Sequence, residues 1–166
     1  MQAQKQTEWC WAATSVSLAL YYNGTAGWTQ CGMVDAELSQ RGCCHDGGSA
    51  RCNRPHVLDA PLARARVLNR MQRGAVGYAA IRGEIDAGRP LAWRIGWRGG
   101  GGHFAVIEGY QRRGGQWVAI DDPWYGVSDL EVTTLTGGGY QQTGTWTHTY
   151  FTRRQPSSST GPGGPP

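Results

Sequence analysis

Residues 4–15 read Gln4-Lys-Gln-Thr-Glu-Trp-Cys10-Trp-Ala-Ala-Thr-Ser15, which places a cysteine between two tryptophans where a polar segment becomes apolar. From Trp11 to Tyr22 no residue breaks a helix, and apolar side chains recur at three- and four-residue spacing. The pattern predicts a helix that ends at Asn23-Gly24. Cys10 then lies in the first turn, where free N–H groups and the helix dipole stabilise a thiolate. The alternative for Cys10 is a small, buried hydrophobic residue.

Length and composition predict one domain with a modest core. The chain has 166 residues, 39% of them hydrophobic, with 26 glycines and a net charge of +4. The arginines are scattered, so we expect no nucleic-acid binding. No apolar run reaches about 18 residues, so we expect no membrane span. We also expect a monomer.

Four of the five cysteines, Cys31, Cys43, Cys44 and Cys52, fall in one segment, and Cys10 stands apart. Two disulfides and one free thiol are the simplest arrangement, and they indicate an oxidising destination. Adjacent cysteines rarely bond each other, so Cys43 and Cys44 should each pair with Cys31 or Cys52, in an order that the sequence leaves open. The competing interpretation is a zinc site, whose candidate ligands are these four cysteines with His45 and His56.

The two halves of the chain differ in pattern. The first half predicts helices and loops, including a helix with Asp59 and Pro61 at its start and the run Leu62–Gln72, and another helix over Ala79–Ala87. The second half predicts five strands, with a hairpin formed by two of them. The predicted strands cover Pro90–Ile95, His103–Tyr110, Gln116–Asp121, Val127–Thr134 and Thr145–Phe151. We therefore expect an α+β domain in which a helical lobe packs on an antiparallel sheet.

A thiolate mechanism needs a base and a group that orients the base. His103 begins a strand after the glycines Gly99–Gly102, which let a substrate approach closely and form a loop that can flex over it. Asp122 ends the next strand, close to the start of the strand of His103 if the two form a hairpin. Asp121 points to the opposite face, so only one of the two carboxylates can hold the imidazole. Turn formation before Pro123 is the structural alternative for both.

Two further residues are candidates for the same site. Trp124 could shield the His–Asp contact from water, or simply pack in the core. The side-chain amide of Gln4, six residues before Cys10, could join the Cys10 backbone N–H as an oxyanion donor. The alternative for Gln4 is a solvated position in the leading segment, and Gln2 and Gln6 lie close enough in sequence to be confused with it.

The spacing Gln-x5-Cys-Trp at Gln4 and Cys10 resembles the active-site signature of papain-like cysteine proteases. The segment His103–Tyr110 is similar to their histidine strand, and Asp122-Pro-Trp resembles their Asn-Ser-Trp. The opening Trp-Cys-Trp-Ala-Ala is most similar to the compact bacterial branch that includes secreted effectors of plant pathogens. The resemblance spans about residues 2–152, but it has no counterpart for the cysteine-rich segment Arg41–Arg54.

The resemblance implies a papain-like fold and a cysteine endopeptidase that needs no cofactor and no metal. Cys10 would be the nucleophile, His103 the base and acid, Asp122 the orienting group and Gln4 an oxyanion donor. Two alternatives remain: an amidase, isopeptidase or transglutaminase-type acyl transferase on the same triad, and a non-catalytic peptide- or glycan-binding module.

The last residues predict a separate segment. We assign residues 1–153 to the protease domain and residues 154–166, rich in Pro, Gly and Ser, to a disordered tail or linker. Together with the disulfides, the resemblance implies a protein secreted or translocated from a bacterium, with a protein or peptide as its substrate.

Overall fold

The computed structural model describes residues 1–24, 27–111 and 114–155. The helices are α1 Cys10–Asn23, α2 Gln30–Glu37, α3 Asp59–Arg64, α4 Tyr78–Asp86 and α5 Val132–Thr136. The strands are β1 Leu68–Arg73, β2 Leu91–Trp97, β3 Gly102–Tyr110, β4 Trp117–Asp122, β5 Gly126–Glu131 and β6 Gly144–Thr152.

All strand pairs are antiparallel, and the six strands lie in the order β1-β6-β2-β3-β4-β5. Helix α1 packs on one face of this sheet, and α4 and α5 cover the other. Alternation along β3 separates two cores: Phe104 and Val106 join α1, whereas Ala105 and Ile107 join the core under α4. The prediction of an α+β domain with a helical lobe on an antiparallel sheet is confirmed.

The predicted helix begins at Asp59 as expected, but its extension to Gln72 is wrong. Helix α3 ends at Arg64, and Arg66 has a φ of 61°, a left-handed conformation that ends the helix. The chain then runs as β1, which pairs with β6 at the edge of the sheet. The sheet therefore has six strands, not five, because pairing with β6 overrides the helical spacing of this segment. The predicted strand over Val127–Thr134 is also too long, since β5 ends at Glu131 and α5 follows.

The cysteine-rich segment contains two disulfides, Cys31–Cys44 and Cys43–Cys52. This confirms the predicted disulfides and settles their pairing. The zinc interpretation is wrong because each of the four sulfurs is bonded to another cysteine sulfur in one of the two disulfides. Of its two histidines, His56 instead contacts Glu37. No group of residues in the described part of the chain has the composition and arrangement of a metal site.

Within the three described ranges, no helix is both long enough and apolar enough to cross a membrane. The segment 154–166 falls mostly outside these ranges, since description ends at residue 155. The predicted boundary between a domain and a tail therefore stays a prediction.

Candidate active site

Cys10 is the first residue of α1, and it is buried with a free thiol. The tryptophans on either side anchor it, because the indole N–H of Trp9 donates to the carbonyl of Cys52 at 2.9 Å and that of Trp11 to the carbonyl of Arg54 at 3.0 Å. The first N–H groups of a helix have no partner within the helix. The sulfur of Cys10 therefore lies beside backbone donors that can bind an anion.

His103 lies at the start of β3, directly after Gly102, and its side chain is buried. It shares the face of Ala105 and Ile107, since alternate residues of a strand point the same way. Only glycine fits at position 102, because a Cβ there would lie 2.5 Å from Arg94 Nη2 and 2.8 Å from the carbonyl of Ile95.

The same alternation separates the two neighbouring aspartates of β4. Asp122 shares a face with Ile120, which lies in the core on the side of His103. Asp121 points to the other face, where the amino group of Met1 contacts it. Asp122 is thus the carboxylate beside His103.

The carboxylate of Asp122 is fully enclosed by hydrogen-bond donors. His103 Nε2 lies 2.8 Å from Oδ1 and 2.9 Å from Oδ2. The backbone N–H groups of Trp124 and Tyr125 donate to Oδ1 at 2.7 and 2.9 Å, and the Tyr140 hydroxyl donates to Oδ2 at 2.6 Å. Burial alone would raise the pKa of Asp122, but the hydrogen bond and charge of His103, followed by the other donors, lower it. The carboxylate therefore stays ionised.

His103 connects this carboxylate to the thiol. Because Nε2 faces Asp122, Nδ1 is left for Cys10, which lines the same groove and is close enough to influence the imidazole. Burial lowers the pKa of His103, but the hydrogen bonds to Asp122 and Cys10 and the charges of both residues raise it to about 9. The imidazolium is therefore favoured at neutral pH.

Aromatic rings contact the imidazole on two sides. Trp97 is stacked on His103 with centroids 6.1 Å apart, and the edge contact of Tyr125 is at 5.9 Å. The ring of Trp124, the predicted shield, is 54% exposed and lines the groove. This exposure contradicts core packing, the alternative for Trp124, whereas its role as a shield stays a prediction. The sequence did not indicate Trp97 or Tyr125, because neither stands in a recognisable motif.

Gln4 lines the same groove as Cys10 and His103. Its side-chain Nε2 donates to the backbone carbonyls of Gln6 and Thr7, each at 2.8 Å, so both N–H groups are engaged within the loop. Gln2, one of the possible substitutes, instead accepts a hydrogen bond from Gln30.

Asn53 is a contact that the sequence did not predict. Its side-chain Nδ2 donates to Thr7 Oγ1 at 2.8 Å, and its Oδ1 accepts from the backbone N–H of Glu8 at 2.9 Å. Asn53 follows Cys52, so the disulfide-closed segment supports the loop that leads to Cys10. No sequence signal distinguishes Asn53 from an ordinary polar loop residue.

The groove at Cys10 has a volume of about 390 Å³. Its walls come from the loop before α1 and from the sheet side, including the glycines at 101 and 102. A cysteine at a helix N-terminus, facing a histidine–carboxylate pair across such a groove, defines the class of papain-like cysteine proteases.

The chain belongs to the papain-like cysteine protease AvrRpt2 family, whose model matches residues 1–136. A search of curated proteins finds no match. The predicted family and the prediction of a cysteine protease are thus confirmed, and a protease of this family acts on protein. The matched region ends before Tyr140 and β6.

Proposed function

We propose that the protein is a cysteine endopeptidase with Cys10 as nucleophile, His103 as base and acid, and Asp122 as the group that orients His103. The observation that carries the proposal is the position of His103, which lines one groove together with Cys10 and is hydrogen-bonded to the Asp122 carboxylate at 2.8 and 2.9 Å. This groove can admit an extended peptide.

In the first half of the reaction, the thiolate of Cys10 attacks the peptide carbonyl carbon. The oxyanion binds to the Cys10 backbone N–H and to Gln4, which must release a loop carbonyl to donate to it. The C–N bond then breaks, and His103 gives its proton to the leaving amine. In the second half, His103 takes a proton from water, whose oxygen attacks the thioester and regenerates the thiolate.

We further propose that the enzyme is a monomer that binds neither nucleic acid nor a membrane. We also propose that it is secreted or translocated from a bacterium. The two disulfides and the effector name of the family support this route. An oxidising compartment would form both bridges while leaving Cys10 free.

The test is digestion of a mixed peptide library with mass spectrometry of the products. We expect new peptide termini with the parent protein and none with Cys10→Ala. A thiol-directed epoxide should label Cys10 in stoichiometric amount, and His103→Ala should abolish that labelling. Released ammonia or cross-links without new termini would instead assign the triad to an amidase or acyl transferase and contradict the proposal.

A further inference from the structure

Three basic side chains form a row across the sheet. Arg73 on β1 pairs with His148 on β6, His148 pairs with Arg94 on β2, and Arg94 pairs with Phe104 on β3. Directly paired residues of antiparallel strands share a face. Phe104 packs in the core on the α1 side, so Arg73, His148 and Arg94, here called the basic row, lie on the face of the helical lobe.

Two members of the basic row, Arg94 and His148, line a second groove, here called the side groove, with a volume of about 760 Å³. Its sheet wall includes Arg94, His148 and Phe104, and its other wall comes from the segment 55–59. Pro55 also lines the groove at Cys10. Arg94, on the sheet wall of the side groove, also donates to the carbonyl of Gly101, which lines the groove at Cys10. The two grooves therefore adjoin at Pro55 and at the contact between Arg94 and Gly101.

Arg94 is held in place by two hydrogen bonds and has further N–H donors without a hydrogen-bond partner within the described ranges. Its Nη1 donates to Thr147 Oγ1 at 3.0 Å, and its Nη2 donates to the carbonyl of Gly101 at 3.1 Å. A guanidinium has five N–H groups, so three remain available. Among the described residues, no carboxylate forms an ion pair with Arg94 or Arg73. Arg94 is half-buried, and reduced contact with water strengthens its attraction for an anion.

The acidic group of the side groove does not cancel this charge. Asp59 lies on the opposite wall, whereas the carboxylate of Glu37 is already engaged by His56 and Arg64. The pKa of His148 is lowered, first by burial and then by Arg94 and Arg73, and the opposing effect of Asp59 is smaller than that of either arginine. At Tyr150, which lines the same groove, the effect of Asp59 on the pKa exceeds that of Arg94, so the positive potential lies at Arg94 and His148 and not along the whole groove.

We propose that the side groove binds an acidic side chain of the protein substrate, Asp or Glu, and that Arg94 selects it. The proposal rests on the proposed protease function. Adjacent strands lie about 4.8 Å apart, and an extended peptide advances about 3.4 Å per residue. The selected residue therefore lies within about two or three residues of the cleaved bond.

The test uses matched peptides that differ only in Glu, Gln or Lys at one position, moved through three residues on each side of the cleaved bond. For one position we expect kcat/KM with Glu to exceed that with Gln by roughly tenfold, because a charge-assisted pair replaces a neutral contact. In Arg94→Gln the Glu-to-Gln ratio should fall to about one. In Arg94→Glu the Lys peptide should become the preferred substrate.

The matched control is Arg70→Gln, on the opposite face of β1, where the guanidinium lies over Phe151. It loses the same charge and should keep the Glu preference of the parent. If Arg94→Gln does not fold, two other tests replace it: the variant Arg73→Gln, and the parent protein with added salt. Each should reduce the Glu-to-Gln ratio of kcat/KM.

Equal cleavage of Glu and Gln peptides at every position, a preference of the parent for Lys, or an unchanged ratio in both arginine variants would overturn the proposal. No Cys10-dependent cleavage of any peptide would instead overturn the proposed protease function.

Discussion

The hydroxyl of Tyr140 donates a 2.6 Å hydrogen bond to Asp122 Oδ2, on the carboxylate that holds His103. Both side chains are buried. Burial first, and then the charge of Asp122, raise the pKa of Tyr140, so the phenol stays a neutral donor. Tyr140 thus holds Oδ2, whereas the backbone of Trp124 and Tyr125 holds Oδ1, and the carboxylate has little freedom to rotate away from His103.

We expect Tyr140→Phe to lower kcat by roughly tenfold or more, with little change in KM. The variant keeps the ring contacts with Trp93 and Trp97 but loses one hydrogen bond to a charged group, which is worth about 1.5–3 kcal/mol. Steady-state kinetics with a cleaved peptide measure both constants.

The matched control for this change is Tyr22→Phe. The hydroxyl of Tyr22 is equally buried and bonds Thr152 Oγ1 at 2.6 Å, away from the groove. Its loss should lower the melting temperature and leave kcat unchanged. A similar kcat loss in both variants would mean that Tyr140 acts only through general stability.

We expect Asp122→Asn to move the alkaline limb of the pH profile to lower pH, besides lowering kcat. Burial lowers the pKa of His103, and the contacts with Asp122 and Cys10 raise it to about 9. Activity should therefore fall above about pH 9, where His103 loses the proton that the leaving amine needs. Without the negative carboxylate the pKa of His103 drops, and the loss begins earlier.

The pH dependence of kcat/KM measures this limb. Asp121→Asn is the control, because Asp121 contacts the amino group of Met1 and not His103. Its profile should match that of the parent. An alkaline limb that stays in place in Asp122→Asn would show that the carboxylate does not set the charge of His103.

The sequence predicts the structure best where the spacing of nearby residues determines the face to which a side chain points. Asp121 and Asp122 cannot point to the same face of a strand. In the structure Ile120 lies in the core on the side of His103, so Asp122, two residues later, is the aspartate that contacts His103. The helix that begins at Cys10 was likewise visible, because its apolar spacing is local. These features depend on neighbours within a few residues.

Features that depend on long-range contacts were missed. Segment Leu68–Arg73 has no strand pattern of its own and becomes β1 only by pairing with β6, about eighty residues later. Tyr140 meets Asp122 because the turn before β6 folds back under the sheet. Neither contact leaves a periodic signal in the sequence, so only the assembled fold reveals them.

We expect Asn53→Ala to reduce kcat by about tenfold while leaving the alkylation rate of Cys10 unchanged. Asn53 fixes Thr7 and Glu8, and the carbonyl of Thr7 in turn holds the amide of Gln4. Loosening this loop disturbs the proposed oxyanion donors, which are worth about 2.7–4 kcal/mol each when removed entirely. The Cys10–His103 pair does not touch Asn53.

Two assays separate these effects. Alkylation by a small haloacetamide needs only the thiolate, whereas binding of a peptide aldehyde also needs the oxyanion donors. We expect Asn53→Ala to weaken aldehyde binding alone, and Asn69→Ala, an exposed change on β1, to alter neither. Equal loss in both assays would indicate that the whole site, and not the loop, is displaced.

The two disulfides should differ in their response to a dithiol reductant. Cys43 and Cys52 are buried, whereas Cys44 is exposed, so Cys31–Cys44 should open first with little loss of activity. The Cys43–Cys52 bridge closes a short loop and should contribute about 2–3 kcal/mol to the free energy of unfolding. In addition, the backbone carbonyl of Cys52 accepts the hydrogen bond that anchors Trp9 beside Cys10. Activity should therefore fall only when this second bridge opens.

Mass spectrometry after alkylation identifies the open bridge at each reductant concentration, and peptide cleavage is measured on the same samples. The double variant Cys43→Ser with Cys52→Ser should have a lower melting temperature and a lower kcat, whereas Cys31→Ser with Cys44→Ser should keep most of its kcat. A larger loss of kcat in the Cys31→Ser with Cys44→Ser variant would mean that the Cys31–Cys44 bridge, through α2, supports Cys10. Because Cys10 must stay reduced while Cys43–Cys52 stays closed, maximal activity is expected at an intermediate reductant concentration.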